Sequence, residues 1–378
     1  MVRLDTINIV GAGPAGLYSA ILLKSARPDA QITVYEQNTA DATFGFGVVF
    51  SEQALDFLQQ DDPQTHALIT PHMERWRNIT LNHPQESLTI DGIGFSAIER
   101  LALLKILQQR ALDVGVNVHF SHKAPDTDTL AEADLLIGAD GLNSTVRGSK
   151  ETIFQPHINY LHNRFAWFGT EAVFSELTQT FLQTDKGALN AHHYRYAPGK
   201  STFIVECSPQ SFANYGFAEL DEQQSALVCE ELFADVLQGK PLLINHSHWR
   251  QFPQLWCENW VAGNRVILGD AAHTAHFSIG SGTRLAMEDA ISLVAALQNA
   301  DTLENALQEY QQVRQPVARK IVDAANTSAA WYENFPEHMA LAPLEFAYSY
   351  LTRSGRISHE RLRKLSPELM ARYEAAYS

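Results

Sequence analysis

Cysteine is scarce in this chain and never closely spaced. Cys207, Cys229 and Cys257 are the three present in 378 residues. Without a CxxC pair, the sequence argues against a dithiol redox couple, a zinc ribbon or a disulfide reductase. Positive charge is also short: 28 Lys and Arg against 43 Asp and Glu leave a formal net charge of −15. So acidic a chain repels phosphate backbones and anionic lipid, and neither nucleic acid nor a membrane is expected as a partner. The local cluster Arg353, Arg356, Arg361, Arg363 and Lys364 reads as a solvated helix face. No apolar run reaches the roughly 18 residues that a membrane span requires. No charged-then-apolar leader precedes the first strand pattern, so a soluble, cytoplasmic protein is expected. Internal repeats and low-complexity linkers are missing, and the scattered histidines form no metal-ligand set.

What is present suits a globular enzyme of one large or two intimate domains, with 45% hydrophobic and 10% aromatic residues. The β-branched run "TINIV", Thr6 to Val10, leads into "GAGPAGLYSAILLKSA". Gly11, Gly13 and Gly16 match G-x-G-x-x-G, with Ala15 inside the turn. The first glycine permits the sharp turn, the second a close approach to a pyrophosphate, the third tight packing of helix on strand. The helix N-terminus then offers free N–H groups to phosphate. A second strand, "QITVYE", ends in Glu36 beside Gln37, 20 residues beyond Gly16. A carboxylate there accepts from an adenosine ribose and disfavours a 2′-phosphate, so FAD or NAD is expected and NADP is not. This motif alone does not separate those two.

Two further junctions follow. In "ADLLIGADGLNSTVR" an apolar strand, Leu135 to Gly138, ends in Asp140-Gly141, with Asn143, Ser144 and Arg147 beyond. In "RVILGDAAHTAHFSIGSGT" a strand ends near Asp270, and Gly280-Ser281-Gly282-Thr283 opens a long helical run. Three strand–turn junctions spread along one chain suggest one long ligand gripped at several points, which favours FAD over NAD.

These three fingerprints, GxGxxG, DG and GD, in this order, resemble the single-component flavoprotein aromatic hydroxylases that share the p-hydroxybenzoate hydroxylase fold. The resemblance covers nearly the whole chain. It implies an α/β fold: a Rossmann-like FAD-binding domain (1–70, 95–155 and 258–300), an inserted antiparallel-sheet substrate domain (71–94 and 156–257) and a C-terminal helical region (301–378). It implies that Asp270 meets the ribityl or pyrophosphate part of FAD, and that Gly280 to Thr283 lie against the isoalloxazine. It implies roles for Asp140 in FAD and NAD(P)H binding and for Arg100, opening "RLALLKIL", at the pyrophosphate. The activity implied is hydroxylation of an electron-rich aromatic ring. NAD(P)H reduces non-covalently held FAD, and O2 forms a flavin C4a-hydroperoxide. No second GxGxxG exists for the nicotinamide, which leaves NADH or NADPH open.

The turn departs from the family, since His276-Phe277 stands where two prolines are usual. "HFSIGSGT", "TFGFGVVFS" (Thr43 to Ser51) and "SYLTRSGRISHERLR" (Ser349 to Arg363) resemble the branch that hydroxylates salicylyl-CoA and 2-aminobenzoyl-CoA. The violacein-pathway indole hydroxylase is a more distant likeness. A small aromatic substrate is therefore expected: an aryl-CoA thioester, or alternatively a free or indolic aromatic. A flavin-moving arginine of p-hydroxybenzoate hydroxylase has no counterpart, because residues 38–50 contain none. A halogenase would carry a WxWxIP-like stretch, which is missing. A non-hydroxylating FAD protein stays open.

Between the DG and GD motifs, "RFAWFGTEAVF" and "HHYRYAPGKSTFIVECSP" are strand-like and aromatic-rich. Trp167, His193, Tyr194 and Phe277 are the expected substrate-binding residues. His276 is the expected catalytic residue, orienting a ring substituent or taking its proton as a base, with a purely structural shaper of the turn as the alternative. His273 reads as structural. Pro316 is expected to interrupt or begin a helix. A monomer or homodimer is expected, with no metal.

Overall fold

The β-branched run Thr6–Val10 forms the middle of a six-stranded sheet, in a computed structural model that describes residues 2–51 and 56–377. The spatial order is Val261–Ala262, Arg265–Ile267, Leu135–Gly138, Thr6–Val10, Gln31–Tyr35, Asn117–His119. All pairs are parallel except the first, which is antiparallel. Strands buried on both faces need continuous apolar side chains, and Leu135, Leu136 and Ile137 are fully buried. Val10 registers with Tyr35 on one side and with Gly138 on the other, and Gly138 registers with Ile267. The C-terminal ends of these strands are thus level. The chain leaves Thr6–Val10 to both sides, which makes this end a topological switch point where α/β folds bind ligands.

A second sheet has eight strands. Four long ones, Pro156–Thr170, Lys200–Cys207, Gly187–Ala197 and Leu177–Thr184, lie side by side and antiparallel. Ile79–Asn82 and Ser87–Ile90 extend one edge, while Leu242–Leu243 and Arg250–Cys257 pair with Pro156–Thr170 at the other. Side chains alternate across this sheet. One face carries Ala166, Phe168, Leu189, Ala191, Phe203 and Val205 into a core shared with Phe217, Ala226 and Cys229. The opposite face carries Phe181, Tyr194 and Tyr196 into a core with Trp331 and Tyr332. A small third sheet, Gly47–Ser51, Phe95–Glu99 and Glu74–Trp76, packs against the Gly187–Ala197 strand of the large sheet.

The C-terminal region is helical, as expected, but Pro316 neither begins nor interrupts a helix. Leu303–Glu333 runs through it as one 31-residue helix. Proline removes one i→i−4 bond and crowds residue i−4. Here tertiary packing outweighs that cost, since Tyr310, Arg314, Ala318 and Val322 form a buried stripe through the same turns. The three cysteines are free and buried. Among the described residues no helix is long and apolar enough to cross a membrane.

Candidate active site

The glycines of the first turn have distinct reasons. Gly11 has φ +100°, and a Cβ there would lie 2.3 Å from the Ala139 carbonyl oxygen. On Gly16 a Cβ would lie 1.9 Å from the Gly11 carbonyl oxygen, whereas on Gly13 it would meet nothing within 4 Å. The first and third glycines are therefore demanded by the protein, while the second faces open space. Ala15 is buried, and a Cβ on Gly269 would come 3.1 Å from the Ala15 Cβ, so the first and last junctions touch.

Glu36 folds back onto the same turn. Its Oε2 accepts from Ala12 N at 2.9 Å; its Oε1 accepts from Asn38 N and Asn38 Nδ2, both at 2.8 Å. Gln37 is exposed beside it. The helices Pro14–Ala26 and Gly282–Asn299 both start without a side-chain cap. Their first N–H groups are left for a ligand or water.

Asp140 Oδ2 accepts from Thr145 N at 2.6 Å and from Thr145 Oγ1 at 2.9 Å, which anchors the short helix after the DG turn. Its Oδ1 is buried and has no partner among the described residues. Arg100 opens the helix Arg100–Asp113, with its backbone N–H bonded to the Phe46 carbonyl at 2.8 Å. The Asp270 carboxylate is open to the crevice. Surrounding protein pushes that carboxyl up from its ordinary value, while His273 and Arg100 pull it back. An open second glycine, two uncapped helix N-termini, an unfilled aspartate oxygen and an Arg100 that acts electrostatically on Asp270 fit a long ligand with a pyrophosphate and polyhydroxyl chain, as FAD has.

Behind the crevice stands a brace that the sequence did not reveal. Asp289 is fully buried; its Oδ2 accepts from Gly269 N and pairs with His273 Nε2, both at 2.9 Å. Its Oδ1 accepts from Arg314 Nε at 2.7 Å. Burial alone would raise this carboxyl, but His273 and Arg314 outweigh it and hold it down at about 2. The placement of His273 is thus that of a structural residue. Arg147 adds a second brace, donating to the carbonyls of Leu142 and, at 2.8 Å, of Ala271. The visible signal for Asp289 was a carboxylate inside the apolar stripe of "LAMEDAISLV".

The turn after Asp270 meets the inner face of the large sheet. Gly280 has φ +61°, and a Cβ there would lie 3.0 Å from Val49 Cγ1. Ser281, Gly282 and Thr283 follow, half-buried. The segment "TFGFGVV" passes beneath the sheet: a Cβ on Gly45 would strike the Trp167 ring and one on Gly47 the Tyr196 ring. Tyr194 donates to the Gly47 carbonyl at 3.0 Å. Trp167 registers with Ile204, and Tyr194 with Thr202, on this inner face. Trp167 Nε1 is buried without a partner among the described residues. Phe277, at the start of the turn, meets the same face edge-on and tilted, its ring 5.0 Å from Phe165 and 5.3 Å from His192.

His193 is not brought to this face. Its ring lies 5.2 Å from Phe203 and 4.1 Å from Phe174 in the opposite core, with Nε2 2.9 Å from Thr180 Oγ1. Its neighbour His192 takes the inner position instead, and burial lowers both imidazoles to about 3.

His276 is 1% exposed and packs against Phe277 and Phe252. Burial lowers it to about 4, against an upward pull from Glu206. Its Nδ1 accepts from Ser278 N at 3.3 Å. A neutral imidazole that accepts at Nδ1 carries its proton on Nε2. His276 therefore offers a donor at Nε2, which favours an orienting role over that of a base. Arg353 closes this region from the C-terminal side, donating to the Ser278 carbonyl at 2.9 Å and to Ser328 Oγ at 3.0 Å.

Comparison with known proteins gives a consistent picture. Residues 108–325 match the FAD binding domain family. The chain is 38% identical to a salicyloyl-CoA 5-hydroxylase from Streptomyces sp, over 92% of this chain and 69% of that protein. It is 33% identical to a 3-hydroxy-4-methyl-anthranilyl-[aryl-carrier protein] 5-monooxygenase from Streptosporangium sibiricum, over 93% of this chain and 95% of that protein. The crystal structure of 2-methyl-3-hydroxypyridine-5-carboxylic acid oxygenase shares the fold, with a TM-score of 0.71 at 15% identity, covering 98% of both chains.

Proposed function

The chain belongs to the FAD-binding-domain family of flavin-dependent aromatic monooxygenases, and from that premise we propose that it hydroxylates an aromatic ring carried as an acyl thioester, of the salicyloyl-CoA or 2-aminobenzoyl-CoA kind, with NAD(P)H and O2. The observation that carries this reading is where the cofactor crevice ends. The turn Phe277–Ile279, followed by Gly280, joins it to a sheet face lined by Trp167, Tyr194 and Phe277. The names of two relatives support the thioester, since one acts on a CoA ester and the other on an aryl-carrier protein.

Bound FAD supplies electron transfer and oxygen activation; the protein supplies placement, a dry pocket and proton control. In this reading Glu36 meets the adenosine ribose and Arg100 the pyrophosphate. Asp270 meets the ribityl chain, and Gly280 to Thr283 lie under the isoalloxazine. Asp140 holds the DG turn against the cofactor. Trp167, Tyr194 and Phe277 hold the ring by aromatic contact and exclude water. His276, neutral at pH 7, donates from Nε2 to a ring substituent.

The test is a coupled assay on FAD-loaded protein with salicyloyl-CoA, 2-aminobenzoyl-CoA, salicylate and indole. NADH or NADPH oxidation is expected to accelerate with a thioester and to yield hydroxylated product in equal amount. Acceleration by salicylate or indole alone would remove the thioester from the reading. No hydroxylated product with any of the four would remove these four substrates from it.

A further inference from the structure

A carboxylate within the apolar strand Lys200–Cys207 has no evident structural purpose. Glu206 is 3% exposed and lies directly opposite Asn190 on one neighbouring strand and Phe165 on the other. Its Oε1 accepts from Asn163 Nδ2 at 3.0 Å. Its Oε2 has no hydrogen-bond partner among the described residues, and neither does Asn163 Oδ1. A buried acceptor left unfilled is destabilising, and more so when it carries charge.

The surrounding imidazoles are donors. Tyr332 Oη donates to Gln179 Oε1 at 3.3 Å, so the Gln179 amide nitrogen is the atom 2.8 Å from His192 Nδ1, and it donates there. Neutral His192 then carries its proton on Nε2, which is 3.6 Å from Glu206 Oε2, too far for a direct hydrogen bond. His276 is likewise protonated on Nε2, because Ser278 N occupies its Nδ1. The unfilled Glu206 oxygen therefore faces the His192 N–H at 3.6 Å, with the His276 imidazole acting on the same carboxylate electrostatically from farther off. The cluster adjoins the aromatic pocket: Phe165 packs 5.0 Å from Phe277, and Phe277 5.3 Å from His192.

We propose that Glu206 is the proton acceptor of the aromatic pocket, and that the pocket thereby selects rings bearing an acidic hydroxyl over rings in which that hydroxyl is methylated. The inference rests on the aromatic-hydroxylase reading above and names the substrate feature it requires. In the step, the ring O–H bond breaks and an O–H bond forms on Glu206 Oε2. The negative charge passes from the carboxylate to the ring oxygen, to which the imidazole N–H groups donate. No electrons are exchanged, and the ring becomes more electron-rich. Burial pushes the Glu206 carboxyl up, against His276 and Asn163, which brings it nearer to the proton affinity of a phenol. The charged or titratable groups packed around the cluster include His192 from the adjacent strand, His276 from the turn, Tyr332 and Glu333 from the long helix, the latter accepting from Asn163 N at 2.8 Å, and Arg353 beyond them.

The test compares ligands matched except for one methyl group: salicyloyl-CoA against 2-methoxybenzoyl-CoA, and salicylate against 2-methoxybenzoate. Binding to FAD-loaded protein is read from flavin absorbance, and ionisation of the bound hydroxyl from ligand absorbance at pH 7. Wild type is expected to favour the hydroxyl ligand about tenfold or more and to bind it as phenolate. Glu206→Gln should lose that preference and the phenolate band while its affinity for the methoxy ligand is unchanged. A variant that keeps both signals, or one that weakens both ligands alike, overturns the proposal. Should Glu206→Gln fail to hold FAD, Glu206→Asp is read in the same way. The shortened carboxylate should reduce the preference, and an unchanged preference overturns the proposal. Wild type responding only to the free acids removes the thioester reading but leaves the Glu206 comparison legible. No preference for hydroxyl in either series overturns the Glu206 proposal.

Discussion

Single atoms decide what His276 can do. A ring nitrogen that already accepts from Ser278 N has no lone pair to offer at that atom, and the other nitrogen holds the proton. A general base contributes about 10²–10⁴-fold, whereas loss of an orienting hydrogen bond costs about ten- to a hundredfold. His276→Ala is therefore expected to keep FAD and to lose coupling by the smaller factor, releasing peroxide in place of product. Because burial holds His276 at about 4, its neutral donor form persists through pH 5–8. The loss on substitution should then be the same across that range. A pH–rate limb that disappears in the variant would show a base instead, and the tautomer argument would fail.

Elements place these atoms, and the Gly282–Asn299 helix does so through Asp289. That one carboxylate holds the Gly269 N–H, His273 and Arg314. Asp289→Asn should leave Arg314 with Glu288 as its one ionic partner among the described residues. Breaking a buried pair from one side costs about 3–5 kcal/mol. The expected result is a lower midpoint of thermal unfolding, and FAD lost on desalting because the turn carrying Asp270 loosens. Unchanged midpoint and FAD content would show that the brace is redundant. The contrast between what the sequence shows and what it hides is clearest at this scale. Gly11, Gly141 and Gly280 announce junctions because the need for positive φ is local and glycine meets it. Asp289, Arg147 and Glu206 were hidden because the Gly269, Ala271 and Asn163 groups they bond lie 20, 124 and 43 residues away, and only tertiary packing brings them together. His193 and Tyr194 show the same limit. They are neighbours on one strand, so they face opposite ways, and the sequence does not say which faces the pocket.

At the scale of the whole molecule, the large sheet buries titratable groups on both faces, and that couples its stability to pH. His192 and His193 are held at about 3 and His276 at about 4, with burial the first cause in each. Unfolded, each titrates near 6.5. Between these values the unfolded chain binds more protons, so stability rises with pH. The contribution is fully present above about pH 6.5 and is lost as pH falls toward the folded values, at about 1.4 kcal/mol per pH unit for each group. Glu206 and Asp270 act with the opposite sign, because burial raises the first and the protein walls of the crevice the second, and the folded chain then holds the extra proton. Asp289, at about 2, matters only below its unfolded value near 4. Opposed terms in one window make the wild-type slope alone ambiguous, and a difference resolves it. His193 lies in the core away from the crevice. His193→Asn removes one titrating group without touching the inner face. Unfolding by urea at pH 7 and pH 5 should show wild type losing about 2 kcal/mol more than the variant over that interval. Equal losses would show that His193 is not held neutral in the folded chain.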